Sequence, residues 1–114
     1  MQRRVLIEAH KASYGDPIAV PRGAPLRLTG REDLWDGQRW LWARAPDGRE
    51  GWVPDSLPEE TLSGFAAAYD YNAIELSCDA GETVDLIKES HAWGWCRKAD
   101  GNEGWLPLRL LTPP

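Results

Sequence analysis

An internal repeat constrains this chain more than any other feature. Residues 40–54 read Trp-Leu-Trp-Ala-Arg-Ala-Pro-Asp-Gly-Arg-Glu-Gly-Trp-Val-Pro, and residues 93–107 read Trp-Gly-Trp-Cys-Arg-Lys-Ala-Asp-Gly-Asn-Glu-Gly-Trp-Leu-Pro. Two Trp, an Arg, Asp-Gly, Glu-Gly-Trp and the final Pro coincide without a gap at an offset of 53. Upstream, residues 17–23 lie over residues 75–81 at an offset of 58. The first copy therefore carries five extra residues, within Gly30–Gln38. A fixed-period repeat means that one supersecondary unit is built twice. The 114 residues are thus expected to form two modules, a first domain over 1–58 and a second over 63–114. Glu59-Glu60-Thr61-Leu62 reads as the connection between them.

Short apolar runs between turn residues predict strands in each module, with no helical stretch of useful length. In the first copy these are Val5–Ile7, Leu26–Leu28, Trp40–Arg44 and Gly51–Val53; in the second, Phe65–Tyr69, Thr83–Ile87, Trp93–Arg97 and Gly104–Leu106. Asp47-Gly48 and Asp100-Gly101 predict tight hairpin turns, where Asp closes a local side-chain bond and Gly takes the positive φ. Short strands with closely spaced turns predict an all-β fold of two small, strongly bent barrels in tandem. Alternation along a strand sends Leu41, Ala43, Cys96, Val53 and Leu106 inward. It sends Trp40, Trp42, Trp52, Trp93, Trp95 and Trp105 outward.

Seven Trp against one Phe is more than core filling needs. Trp favours half-exposed platforms because it joins a large apolar face to an N–H that wants a partner. An outward tryptophan cluster predicts a surface covered by a ligand or by another module. Residues 1–58 carry 9 basic and 8 acidic side chains, and residues 59–114 carry 4 and 10, which sum to the net charge of −5. An acidic second module counts against nucleic acid and favours a cationic peptide. Cys78 and Cys96 form no Cys-x-x-Cys pair and are expected to be reduced core thiols. His10 and His91 have no metal-ligand spacing, so neither a metal nor a cofactor is expected. No apolar run approaches the roughly 18 residues of a membrane helix, and the N-terminal run ends at Glu8, so neither a membrane partner nor a secretory signal is expected. The expected location is the cytoplasm.

The second module resembles a Src-homology-3 (SH3) domain. Ala67-Ala68-Tyr69-Asp70-Tyr71 is similar to the family's Ala-Leu-Tyr-Asp-Tyr signature, Glu75-Leu76-Ser77 to its Glu-Leu-Ser, and Ala80-Gly81-Glu82 to its Lys-Gly-Asp. Trp93 falls on the first Trp of the family's Trp pair, and Gly104-Trp105-Leu106-Pro107 matches the end of its fourth strand. The first module matches through its copy, at Trp40 and Gly51-Trp52-Val53-Pro54, with a longer n-Src-type loop and with His10–Tyr14 in place of the tyrosine signature. The whole resembles small bacterial proteins of two tandem variant SH3 domains.

The resemblance implies a groove for peptides in the polyproline II form. Carried over, its walls in the second module are Tyr69, Tyr71, Trp93, Trp105 and Pro107, with Leu110 where the family has its last groove tyrosine. Glu75 and Asp79 are the implied acidic clamp for a basic ligand residue, and Trp40, Trp52 and Pro54 are the first-module counterparts. The expected function is a non-enzymatic protein–protein interaction module that binds a protein or peptide ligand, basic Pro-rich segments among the candidates, as a monomer or weak homodimer. No nucleophile-and-base or paired-carboxylate arrangement marks a catalytic site. Two other readings stay open: an assembly protein whose Trp faces pack between domains or in a homodimer, and a cell-wall peptide binder of the bacterial SH3-like type.

Overall fold

Each repeat encodes a meander of three antiparallel strands, because two tight turns separate three apolar-alternating runs. The computed structural model describes residues 2–13 and 15–113. The strands are β1 (Gln2–Leu6), β2 (Ala19–Val20), β3 (Pro25–Trp35), β4 (Gln38–Arg44), β5 (Glu50–Pro54), β6 (Pro58–Thr61), β7 (Gly64–Ala67), β8 (Tyr71–Asn72), β9 (Thr83–Ser90), β10 (Trp93–Arg97), β11 (Glu103–Pro107) and β12 (Leu111–Thr112). A single turn of 3-10 helix, Leu108–Leu110, is the only helical element among the described residues. The fold is all-β, as expected. No helix among the described residues is long and apolar enough to cross a membrane.

The repeat is kept in the registers. Trp40 faces Pro54 and Trp42 faces Trp52 across β4–β5; Trp93 faces Pro107 and Trp95 faces Trp105 across β10–β11. Both Asp-Gly turns form alike. Gly48 and Gly101 take φ of 90° and 91°, and Asp47 and Asp100 accept the backbone N–H two residues on, at 3.0 and 2.9 Å.

The compact units are not the contiguous halves 1–58 and 63–114. One unit comprises Met1–Gly15 with Ile74–Pro114, and the other Asp16–Ala73. We call them unit 1 and unit 2. In unit 1 the order is β11-β10-β9-β1-β12; in unit 2 it is β5-β4-β3-β7-β6. Each meander thus takes its fourth strand from the other repeat. β1, at the N-terminus, pairs with β9 and β12 of the second repeat. β7, which opens the second repeat, pairs with β3 and β6 of the first.

The reason is the length of the presumed linker. Glu59–Thr61 is not a connection but part of β6, and only Leu62-Ser63 separates the facing pair Thr61 and Gly64. A two-residue connection folds its flanking strands back on each other as a hairpin. β7 is therefore held beside β6, and β1 is left to complete the second repeat. The chain leaves unit 1 between Gly15 and Asp16 and returns between Ala73 and Ile74. These points are 58 residues apart, the offset of the upstream repeat, so the exchange is made at equivalent positions.

Each unit has its own core. Ile18, Val20, Leu26, Ala43, Ala45, Val53, Leu57 and Ala67 form that of unit 2, with Tyr69 and Tyr71 packed against it. Leu6, Leu76, Cys78, Val84, Leu86, Cys96 and Leu106 form that of unit 1. Ala43, Cys96, Val53 and Leu106 face inward as parity predicts, and Leu41 packs partly buried on its core. Cys78 and Cys96 are buried free thiols, pushed up to about 11 and about 12 by burial. Such thiols are unreactive.

The five extra residues of the first repeat form no loop. They lengthen the β3–β4 hairpin, which closes on Asp36-Gly37 with φ of 51° and 77°. Positive φ at both central residues gives the turn whose twist matches the flanking strands.

Candidate functional site

The implied groove residues fall into both units. Tyr69, Tyr71, Trp40, Trp52 and Pro54 belong to unit 2; Trp93, Trp105, Pro107, Leu110, Glu75 and Asp79 belong to unit 1. The expected grouping of Tyr69 and Tyr71 with Trp93 is therefore not made within either unit. The exchange places the tyrosine signature of the second repeat with the Trp and Pro of the first.

The six tryptophans expected to face outward do not share one environment. Trp40 and Trp105 are buried, at 5 % and 8 % exposed, whereas Trp42, Trp52, Trp93 and Trp95 are half-buried. Pro54, Pro107 and Leu110 are buried too. In unit 2 the long hairpin supplies the cover. Trp35 lies 5.5 Å from Trp40 and edge-on to Trp52 at 5.3 Å between ring centroids. Its indole donates to Asp33 Oδ2 at 2.8 Å, which fixes the ring. Unit 1 has no such extension, because β9 and β10 meet across His91-Ala92.

A second arrangement occurs in both units. Trp42 and Trp52 pack edge-to-face at 5.1 Å, and Trp95 and Trp105 at 5.2 Å. Arg31 lies over Trp42 and Trp52, and Lys88 over Trp95 and Trp105. A cation over indole faces is attracted by their quadrupoles. Glu50 accepts the Trp42 indole at 2.8 Å and Arg44 at 3.0 Å; Glu103 accepts the Trp95 indole at 2.7 Å and Arg97 at 3.1 Å. The indole first, then the guanidinium, holds each carboxyl below its usual range. Glu-Gly-Trp recurs because each residue has a task there. Glu joins Trp to Arg, and Gly makes room for the chain packed against it. A Cβ at Gly51 would meet Ile18 Cγ2 at 2.9 Å, and one at Gly104 would meet the Glu75–Leu76 backbone at 3.0 Å.

Tyr69 and Tyr71 are half-buried in unit 2. The Tyr69 hydroxyl shares a hydrogen bond with Ser56 Oγ at 2.8 Å, and the Tyr71 hydroxyl donates to the Trp52 carbonyl at 3.5 Å. Asp70 accepts the Arg22 N–H at 2.7 Å. The segment is thus held at three successive residues. The equivalent place in unit 1 belongs to His10, since His10 bridges Cys78 as Tyr71 pairs Val20. The His10 ring stands edge-on to Trp93 at 5.7 Å and bonds Glu75 at 2.8 Å, and both side chains are largely covered, at 16 % and 13 % exposed. Ser13 also donates to Glu75, at 3.3 Å. Of the implied acidic clamp, Glu75 is already engaged inside its own unit, while Asp79 is exposed.

Sequence reading missed His10, Trp35, Arg31 and Lys88. A signal existed for His10, which sits 61 residues before Tyr71. That offset becomes visible only when β1 is aligned with β7. Tyr14 lies outside the described residues. No group of three or more His, Cys, Asp or Glu among the described residues is arranged to hold a metal.

No family model, curated protein or solved structure matches this chain.

Proposed function

We propose that each unit is a variant SH3-like barrel, and that the protein is a non-enzymatic interaction module that binds a basic, Pro-rich peptide on the aromatic strip of unit 2. The observation that carries this reading is the set of half-buried rings in that unit: Trp35, Trp52, Tyr69 and Tyr71. Two hydroxyls and one indole of the set are tied to polar partners, so the surface is preorganised and a ligand meets little ordering cost. Rings with one apolar face and one anchored polar atom suit a polyproline II peptide, which needs ridges rather than a deep pocket. Unit 2 carries 6 basic and 10 acidic side chains, net −4, which favours a cationic ligand.

Trp42 and Trp95 have a different part. Each is engaged by Trp, Glu and a cation of its own unit, which supports a role in stability rather than as a docking face between domains.

The test is an NMR titration of the labelled protein with a panel of basic Pro-rich peptides. Tyr69, Tyr71 and the Trp52 indole are expected to shift. Tyr71→Ala is expected to weaken binding by about tenfold or more, the loss typical of an aromatic contact residue. Trp93→Ala, in unit 1, is expected to leave it unchanged. Shifts confined to unit 1, or none with the whole panel, overturn the reading.

A further inference from the structure

Residues 1–15 are joined in sequence to unit 2, between Gly15 and Asp16. Every backbone pairing they make in unit 1 is to residues 74–114, at the opposite end of the sequence. We propose that the slot between β9 and β12 is a strand-acceptor site for a second copy of this chain. Two chains then exchange β1 reciprocally, and each unit 1 is completed by its partner's N-terminal segment.

The slot selects this segment and excludes the competing one. Leu6 and Ala67 hold equivalent places: Leu6 bonds Glu82 and Gly81 through its N–H and carbonyl, as Ala67 bonds Ala24 and Gly23. Both are 1 % exposed, but one is a leucine and the other an alanine. A leucine in the alanine slot overpacks the core of unit 2, and an alanine in the leucine slot leaves a cavity in unit 1. β7 is also tethered to β6 by two residues. The segment therefore fits unit 1 of its own chain or unit 1 of another copy. Charge agrees: residues 1–15 carry 3 basic and 1 acidic side chain, residues 74–114 carry 4 and 7, and Arg3 lies 3.7 Å from Asp85. Exchange in trans reuses every contact made in cis, so the choice is set by concentration and by the connection at Gly15. A reciprocal exchange closes a two-fold dimer and leaves no acceptor empty.

Cross-strand thiols read the difference. Arg3 and Asp85 are directly opposite each other, as are Val5 and Thr112, and facing residues of an antiparallel pair lie within disulfide reach. The buried Cys78 and Cys96 do not compete. Full-length chains bearing only Arg3→Cys or only Asp85→Cys are mixed unfolded, refolded together and oxidised. Refolding at about 1 mM, near the effective concentration of a short tether, is expected to give a mixed covalent dimer, and refolding at about 1 µM none. The doubly substituted chain at the lower concentration is expected to close its bridge internally. Val5→Cys with Thr112→Cys serves as a second reporter pair. In parallel, the unsubstituted protein refolded at the higher concentration is expected to elute partly as a dimer. A protein that elutes only as a monomer after that refolding, with no mixed dimer from either pair, overturns the proposal.

Discussion

Glu50 and Glu103 each accept from an indole and from a guanidinium, and this contributes to how the protein responds to acid. Their folded values lie below the ordinary 4.5, as do those of Glu32 and Asp47 relative to theirs. A carboxyl depressed in the folded state stabilises it above the unfolded value, and that contribution is lost as pH falls through the folded one. These carboxyls are therefore expected to make urea midpoints drop below about pH 4.5. Glu50→Gln with Glu103→Gln is expected to lower the neutral midpoint and flatten the acid limb; an unchanged acid limb refutes the assignment. The two Glu-Gly-Trp glycines give a second comparison. Gly104→Ala presses on backbone, and Gly51→Ala presses on a side-chain methyl of Ile18. The Ile18 methyl sits on a stiff β-branched side chain that is fully buried and yields no more easily than backbone, so Gly51→Ala and Gly104→Ala are each expected to cost about 1–3 kcal/mol in urea unfolding.

The elements were largely legible in the sequence, because apolar alternation and Asp-Gly turns are local signals. Strands β4, β5, β10 and β11 fall where the repeat predicts them, and the inward set Ala43, Cys96, Val53 and Leu106 follows from parity alone. What failed was the reading of Glu59–Thr61 as a linker, since polar residues there belong to the edge strand β6. Their alternation is too polar to mark a strand, and only pairing with β7 makes them one. Burial of Trp40 was also hidden, because its cover, Trp35, comes from a hairpin with no counterpart in the repeat. Trp35→Ala is expected to uncover Trp40 and Trp52 and to shift the tryptophan emission to longer wavelength. The fold is expected to persist, since the core residues of unit 2 do not include Trp35. An unshifted spectrum in the folded variant contradicts the cover.

At the scale of the molecule, the units that fold and the units that repeat are different cuts of the same chain. Residues 16–73 contain β2 to β8 and their core without a break, so this fragment is expected to fold alone with a cooperative urea transition. The repeat-based fragments 1–58 and 63–114 each lack a paired strand of their sheet and are expected to show none. A cooperative 1–58 fragment would contradict the exchange. Charge also divides differently: the halves of the sequence carry +1 and −6, but units 1 and 2 carry −1 and −4. The exchange has a further consequence during synthesis. β1 leaves the ribosome well before its neighbours β9 and β12. At 5–20 residues per second β1 waits roughly 5–20 s for β12, while unit 2 is already complete. A nascent chain arrested so that residue 73 has just emerged is then expected to protect residues 16–73 from protease and leave the N-terminal arm open to cleavage.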